Sequence, residues 1–495
     1  MNIKPTLEKA KKYAGAFSRV PLSMEVYADM ETPISLFKRF EKRPYCFLLE
    51  SVEGGEKWAR YSFMGRDPFM TVKSVGGCTI IEEPGKPVRK MNGNPVIILQ
   101  ELMTQCKSAS GPDIPRFNGG AVGYFGYDII RYFEKLPHVP SDDLNLPESH
   151  FLFTDEVLVY DHLKQKIHII VNMRLENDLA QQYEKACARI REIHHEIVST
   201  RGQIVDTFTP DFGPDKKAPA FTSNITKERF CENVKKAREY ILNGDIFQVV
   251  LSQRLCAKTK QDPFNVYRVL RVLNPSPYMY YLKFNDIRLV GASPEMLARV
   301  EDGWVETCPI AGTRPRGKTP VEDAALEKEL LADEKELAEH RMLVDLGRND
   351  VGRVCEYGSV LVVDPLHVER YSHVMHIVSN VQGRLRKDRT PFDALMSILP
   401  AGTLSGAPKV RAMEIIDELE TVKRNTYGGA IGYLSFNGNL DSCITIRTLL
   451  FKDGRAYVQS GGGIVADSVP ENEYEESMNK ARALLAALQE TGETL

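Results

Sequence analysis

The sequence has no C-x-x-C pair, and its nine cysteines, an odd number, are scattered along 495 residues. That pattern argues for free buried thiols in a reducing compartment, so the expected location is the cytoplasm. No apolar run approaches the roughly 18 residues of a membrane-spanning helix. The opening MNIKPTLEKAKKY is basic but lacks the apolar core of a signal peptide. Nor does charge of one sign accumulate: 64 basic and 67 acidic residues leave a formal net charge of -3, and the basic ones are offset throughout. Nucleic acid and membrane are therefore not expected partners, whereas a small ligand is. Helical and strand patterns also fail to alternate with the regularity of βαβ units, which excludes a Rossmann or barrel fold.

What is present is an ordinary globular composition, 43% hydrophobic and 26% charged. The length exceeds what one core usually organises, so two domains or one large composite domain are expected. The clearest break follows a helix ending near Val198. There TFTPDFGPDKKAPAFTSN, rich in Pro, Gly, Ser and Thr, precedes a strongly periodic segment that begins near Thr226. The chain thus divides into an N-terminal region over 1–205, a linker over 206–224 and a second region over 225–495. YCFLLES, WARYSFMG and EVLVYDHLKQKIHIIVNM read as strands, the last folding back at DHLKQ. AIGYLSF and CITIRTLLF flank Asn437 and Gly438, a dipeptide favoured where both turn residues need positive φ. GGAVGY at 119–124 recurs as GGAIGY at 428–433, a short echo between the two regions. Together these features predict an α+β fold built on layered antiparallel sheets.

The stretch at 307–317, TCPIAGTRPRG, has a β-branched entry, a proline, a Gly-Thr pair and two arginines. It reads as a strand leading into an anion-facing loop, or as a surface turn with solvated arginines. Thr319, Pro320 and Glu322 then form a T-x-x-E capping box with proline at the first helical position. Glu336, Glu339 and His340 share a face of the following helix by i, i+3, i+4 spacing. On the final helix Met478, Ala481, Leu485 and Leu488 form the apolar stripe, which leaves Glu476 and Lys480 on the opposite side, either as a solvated pair or as part of a site.

Gly461, Gly462 and Gly463 follow the strand AYVQS and precede Ser468, Pro470 and Glu471, a second capping box. Glycines there let backbone N–H groups approach a carboxylate closely. Arg447, in the middle of CITIRTLLF, is a charge on an apolar strand and demands a partner, either a bound carboxylate gripped by a bidentate fork or a structural ion pair. His376 in RYSHVMHIVSN lies on an otherwise apolar segment, as a core residue or a proton donor, and His373 beside it gives no recognisable metal spacing.

PIAGTRPRG, DEKELAEHRMLVDLGRNDVGR, RYSHVMHIVSNVQG, AGTLSGAPKVRAMEIIDELE, YGGAIGY, CITIR and GGGIVADS follow one another between about residues 225 and 490. With FLLES at 47–51, these motifs resemble the chorismate-utilising enzymes, and most the large, component I subunits of anthranilate synthases. The resemblance implies two α/β halves whose sheets pack face to face, an α/β/β/α arrangement. It also implies a lyase of tryptophan biosynthesis, with the second region catalytic and the first regulatory or structural.

Chorismate carries two carboxylates, and elimination from its ring becomes easier when a divalent Lewis acid withdraws charge from the ring carboxylate. Magnesium suits that task with one or two protein carboxylates, because it keeps several waters. The resemblance makes Glu339 and Glu476 the Mg2+ ligands, and Gly312, Thr313, Tyr427, Arg447, Gly461, Gly462, Gly463 and Lys480 the chorismate contacts. It sets His376 near the hydroxyl that leaves C4, where a positioned proton donor contributes on the order of 10²–10⁴ in rate. Glu295, in GASPE, is the second candidate acid.

Two positions separate the members of this superfamily. Relatives that add water carry a lysine base in K-V-V-L, where this chain has Gln248 of FQVVLSQR, and a neutral amide cannot deprotonate water. Relatives that aminate C4 carry a lysine nucleophile in P-I-K-G-T, where this chain has Ala311. The remaining family reaction is attack of ammonia at C2, loss of the C4 hydroxyl and loss of pyruvate, giving anthranilate.

No G-x-C-x-G glutaminase elbow is present, so the resemblance implies a separate glutamine amidotransferase subunit, in a heterotetramer of two large and two small subunits. Glu50, Ser51, Asn274, Pro277, Tyr278 and Met279 resemble the elements with which the family binds tryptophan as feedback inhibitor, an indole lying on aromatic and Met surface with a serine at its polar end. The alternatives are an aminodeoxychorismate synthase of folate synthesis, or a catalytically silent relative that senses tryptophan or binds the amidotransferase. Intact acidic, glycine and arginine positions favour the enzyme.

Overall fold

A computed structural model describes residues 2–52, 60–111, 114–200, 206, 208–210, 220–371 and 374–491. Most of the expected linker, Trp58 of WARYSFMG and His373 lie outside the described residues. Among these residues, two antiparallel sheets of thirteen and twelve strands form the inner layers. The centre of the larger sheet runs Tyr61–Arg66, Tyr45–Glu50, Tyr278–Phe284, Ile287–Ser293, Thr448–Lys452, Arg455–Ile464, Gln248–Lys258. The smaller runs Ile310–Pro315, Val374–Arg384, Trp304–Thr307, Met296–Glu301, Leu440–Ile444, Ala430–Ser435, Gly120–Phe125 before continuing outward.

Side chains alternate across a strand, so each sheet offers one face to its neighbour and one to helices. Phe47, Phe63, Val159, Tyr280 and Phe284 of the larger sheet meet Val122, Tyr124, Leu152, Ile431 and Tyr433 of the smaller in one buried cluster. The helices Leu179–Ser199, Pro263–Leu273 and Pro470–Glu490 cover the outside of the larger sheet, and Pro95–Thr104, Glu334–Gly352 and Pro391–Ile398 that of the smaller. The layered α/β/β/α arrangement is therefore present.

Local signals explain why these helices form. In Leu179–Ser199 the Asp178 carboxylate caps Ala180 and Gln181 N–H, and the buried Ala186, Cys187, Ile190, Ile193 and Ile197 recur at helical spacing. Each buried Ile stabilises by about 1.5–3 kcal/mol. The helix Lys227–Leu242 starts at its Thr226 cap, and Pro320–Ala332 at Thr319, whose hydroxyl accepts from Glu322 N–H. The second capping box does not form. Val469 occupies the cap position of Pro470–Glu490, and the Ser468 hydroxyl turns back to accept from Val465 N–H.

Both sheets draw strands from both sequence regions. Tyr45–Glu50 pairs with Tyr278–Phe284, and the two echoing segments lie side by side, Gly120–Phe125 against Ala430–Ser435 with Gly123 opposite Gly432. Glycine is required there by close backbone approach: a Cβ on Gly123 would sit 2.0 Å from the His150 carbonyl, and one on Gly432 2.0 Å from that of Asp441.

Two expected local structures differ. The hairpin at Asn437 and Gly438 exists, but only Gly438 takes a positive φ, 94°, because the Asn437 side chain instead accepts from Asn439 N–H. CITIRTLLF is not one strand. It breaks before Arg447, which adopts φ = 49°, and its halves belong to different sheets, Leu440–Ile444 to the smaller and Thr448–Lys452 to the larger. The chain passes the other way between Ile287–Ser293 and Met296–Glu301.

The nine cysteines are free thiols, and no helix among the described residues is long and apolar enough to cross a membrane. His150 is buried between the sheets, stacked on Phe284 at 4.4 Å with neither ring nitrogen hydrogen-bonded. Burial pushes its pKa down to about 3, with Lys73 adding to the effect. The unfolded chain takes up that proton near the usual value of about 6.5. Stability associated with His150 is therefore complete above that value and is lost as pH falls from there toward about 3. We predict that His150→Leu makes the fall of the unfolding midpoint between about pH 7 and 5 shallower, as followed by thermal denaturation.

Candidate active site

Glu295 and Arg447 stand on two of the passages between sheets, Ser293 to Met296 and Ile444 to Thr448, and the other candidate residues gather around them. The segment containing Ala311 is not an anion-facing loop. Ile310–Pro315 is an edge strand with a register shift at Gly312, whose φ is 71°. Such a bulge re-aims the backbone. The Gly312 carbonyl accepts from His376 Nδ1 at 2.9 Å, and Thr313 Oγ1 lies 3.1 Å from the same nitrogen. Neither motif arginine is available for an anion: Arg314 pairs with Glu329, Asp333 and Glu336, and Arg316 with Asp323 and the Tyr371 carbonyl. Their carboxylate partners are nearby in sequence, which the motif alone did not reveal.

Because His376 Nδ1 faces a carbonyl, that nitrogen carries the proton in the neutral ring and Nε2 keeps a lone pair. Burial lowers the His376 pKa, the Gly312 carbonyl opposes the shift and Arg447 adds to it. The neutral imidazole is thus the resting form, and a bound anion would raise its proton affinity. Glu295 shifts the opposite way. Burial raises its pKa, against a hydrogen bond from Thr403 at 3.0 Å and the charges of Lys480 and Arg447.

The last helix joins Arg447 to the acidic residues. Arg447 Nη1 donates to the Lys480 carbonyl at 3.1 Å, Lys480 Nζ donates to the Gly461 carbonyl at 3.1 Å and lies 2.7 Å from Glu476. Gly461, Gly462 and Gly463 do not follow the strand but end it, inside Arg455–Ile464 and paired with Gln248–Lys258. Ladder pairing leaves only alternate N–H groups for a ligand. Glycine still matters at Gly462, where a Cβ would meet the Glu473 and Glu476 carboxylates at 3.2 and 3.4 Å.

Glu339 faces the same cluster from the helix Glu334–Gly352. Burial raises its pKa, Glu336 and Glu476 raise it further, and Lys335 and a hydrogen bond from Gln248 lower it. Gln248, the position that separates this chain from relatives that add water, therefore lies near a candidate metal ligand. His340 does not share this face: it is fully buried with Nε2 2.7 Å from Ser379 Oγ, a core residue. Glu473 was not anticipated, and burial and Glu476 raise its pKa.

Among the described residues no three His, Cys, Asp or Glu side chains form a closed metal cage. Glu339 and Glu476 offer instead an open pair of hard oxygen donors in a cluster with an excess of carboxylates. That donor set fits Mg2+, which completes its shell with water. Tyr427, buried with Arg424 over its ring at 5.6 Å, is close enough to sense Arg447 and Glu295.

The remaining candidates lie around a separate cavity of about 50 Å³ between the two sheets. Glu50, Ser51, Pro277, Tyr278 and Met279 line it; Asn274 does not, because it ends the helix Pro263–Leu273. Arg116, Arg299 and Asp441 were not foreseen. Arg299 bonds Asp441 at 3.1 Å, Tyr278 OH donates to Asp441 at 2.9 Å, and Arg116 lies 3.9 Å from it. The Glu50 carboxylate is held by Tyr267 OH at 2.5 Å, Arg271 Nε at 3.1 Å and Ser62 Oγ at 3.3 Å.

A model of the chorismate binding enzyme family matches residues 44–486. The match begins far before residue 225, as it must if strands of both regions share the sheets. The anthranilate synthase component 1 of Acetivibrio thermocellus is 67% identical over 489 residues, 99% of each chain, and that of Pseudomonas putida 49% identical over 483 residues, 96% of each. The solved anthranilate synthase component I of Streptococcus pneumoniae superposes with a TM-score of 0.77 at 40% identity, covering 93% of this chain and 99% of that one. The menaquinone-specific isochorismate synthase of Escherichia coli, at 18% identity, shares the fold with a TM-score of 0.70 over 98% of this chain and 99% of its own.

The bonds around Glu50 make it structural as well as cavity-lining. Glu50→Ala leaves buried Tyr267 and partly buried Arg271 without their acceptor, and we predict a loss of about 1–3 kcal/mol, read from the urea unfolding midpoint.

Proposed function

This chain belongs to the chorismate binding enzymes and, among them, stands with the anthranilate synthase component 1 chains; from that premise we propose that it converts chorismate and ammonia to anthranilate and pyruvate. The observation that carries the reading is the continuous network from Arg447 through Lys480 to Glu476, with Glu339 facing it. A dianionic substrate needs such fixed cations, and a divalent metal needs such carboxylates.

Glu339 and Glu476 would hold Mg2+, which when bound withdraws charge from the ring carboxylate and eases elimination. Arg447 and Lys480 bind and orient the two carboxylates of chorismate, with Tyr427 closing the site against water. Burial strips solvent from Arg447, which increases the value of a carboxylate partner. Ammonia attacks C2 as the C4 hydroxyl leaves, and loss of pyruvate then aromatises the ring.

The raised pKa of Glu295 suits a carboxyl that keeps its proton close to neutrality and delivers it to a leaving oxygen. His376 becomes a donor at Nε2 once the substrate's charge raises its proton affinity. At position 311 alanine offers no nucleophile for the competing C4 chemistry.

The name component 1 borne by the relatives implies a further component. We read that partner as a glutamine amidotransferase that supplies ammonia, in a heterotetramer of two large and two small subunits. The cavity between the sheets is read as a tryptophan site for feedback inhibition, with the indole on Pro277, Tyr278 and Met279 and the polar end toward Ser51 and the charged floor.

Incubating the purified chain with chorismate, Mg2+ and high ammonium tests the reaction. Anthranilate and pyruvate are expected, with loss of at least about 10²-fold in kcat for Glu295→Gln. A 4-amino product from the unmodified chain would move the assignment to folate synthesis and remove Ala311 as discriminator; no turnover of chorismate would leave a silent relative.

A further inference from the structure

The Ser293-to-Met296 and Ile444-to-Thr448 passages between the sheets are tied to one another. Ser293, the last residue of its strand and fully buried, donates from Oγ to the Ile444 carbonyl at 2.7 Å and lies 3.4 Å from Glu295 N–H, which can donate to it. Ile444 N–H in turn donates to the Glu295 carbonyl at 3.1 Å, and Ala292 N–H to the Arg447 carbonyl at 3.1 Å. The backbone orientations of Glu295 and Arg447 are thus set by one another, with the Ser293 hydroxyl at the junction.

The same junction borders the cavity between the sheets. In the ladder Tyr278 lies opposite Ser293 and Met279 opposite Ala292. Cys443 lines the cavity and directly precedes Ile444, whose carbonyl accepts from the Ser293 hydroxyl. A molecule resting on Tyr278, Met279 and Cys443 is therefore one contact from Ser293, and Ser293 one contact from both passages.

We propose that Ser293 is a positioning residue that couples occupancy of the inter-sheet cavity to the placement of Glu295 and Arg447. The proposal rests on the reading of that cavity as a tryptophan site. Coupling requires a ligand to favour one of two arrangements. Here the arrangements differ in whether the Ser293 hydroxyl holds the Ile444 carbonyl, as it does in this structure, or is drawn away by a displaced Tyr278 and Cys443.

The test uses the full chain with ammonium as nitrogen source and L-tryptophan as probe, comparing Ser293→Ala and Ser293→Thr with the unmodified protein. For Ser293→Ala the expected result is a three- to tenfold lower kcat with KM for chorismate changed less than twofold. Its tryptophan affinity by calorimetry should stay within about threefold, while the inhibition constant rises at least tenfold, so that binding and inhibition part company. Ser293→Thr, which keeps the hydroxyl, should restore the match between the two constants even if its extra methyl lowers stability.

Unchanged kcat and an inhibition constant that still tracks binding in Ser293→Ala would overturn the proposal. So would loss of binding and inhibition in equal measure. If the unmodified chain binds no tryptophan, the reading of the cavity fails, and the kcat of Ser293→Ala alone then decides whether Ser293 positions the site.

Discussion

The layer of aromatic and aliphatic side chains between the two sheets is the constraint on which the rest of the molecule depends. Phe47, Phe63, Tyr280 and Phe284 press against Tyr124, Ile431 and Tyr433 without a helix between them. Face-to-face burial on that scale fixes the spacing of the sheets, since protein interiors are close-packed and do not deform continuously. With the spacing fixed, a chain crossing from one sheet to the other has only a few residues in which to do so. Of the short crossings, Arg66 to Met70 and Thr154 to Glu156 among them, two carry side chains of the site, Glu295 on one and Arg447 on the other. The unusual backbone of Arg447, at φ = 49°, is the local cost of the crossing, on the order of 1 kcal/mol or more.

The site concentrates groups whose burial opposes their charge. Glu295, Glu339 and Glu473 are pushed toward the neutral form and Arg447 toward the uncharged one, each chiefly by desolvation. Such an arrangement lowers the stability of the fold, a trade between stability and function met in many binding sites. By contrast, the arginines of the 307–317 segment, conspicuous in sequence, are already neutralised by Glu329, Asp333, Glu336 and Asp323.

Much of the fold was legible because its signals are local. The caps at Thr226 and Thr319, the stripe of the last helix and the turn before Lys166 are written within a few residues of where they act. Motif resemblance carried the candidate site further than periodicity could, because Glu339 and Glu476 on exposed helix faces look like any solvated carboxylates until the helices are placed. What escaped depended on long-range partners. A positive φ at an arginine has no sequence signature, so CITIRTLLF read as one strand. The Ser468 box failed because the hydroxyl found Val465 instead. Arg116, Arg299 and Asp441 come from distant segments and meet only when the sheets close over them.

The pairing of Gly120–Phe125 with Ala430–Ser435 joins segments roughly 300 residues apart, and Tyr45–Glu50 waits similarly for Tyr278–Phe284. During synthesis the N-terminal strands emerge long before their neighbours exist. Non-local pairing of this kind is slow to form and leaves strand edges and apolar faces uncovered in the meantime. The first half of the nascent chain therefore carries two unfinished sheets out of the ribosome, and its demand for chaperone protection lasts until the segment around residue 430 has been made.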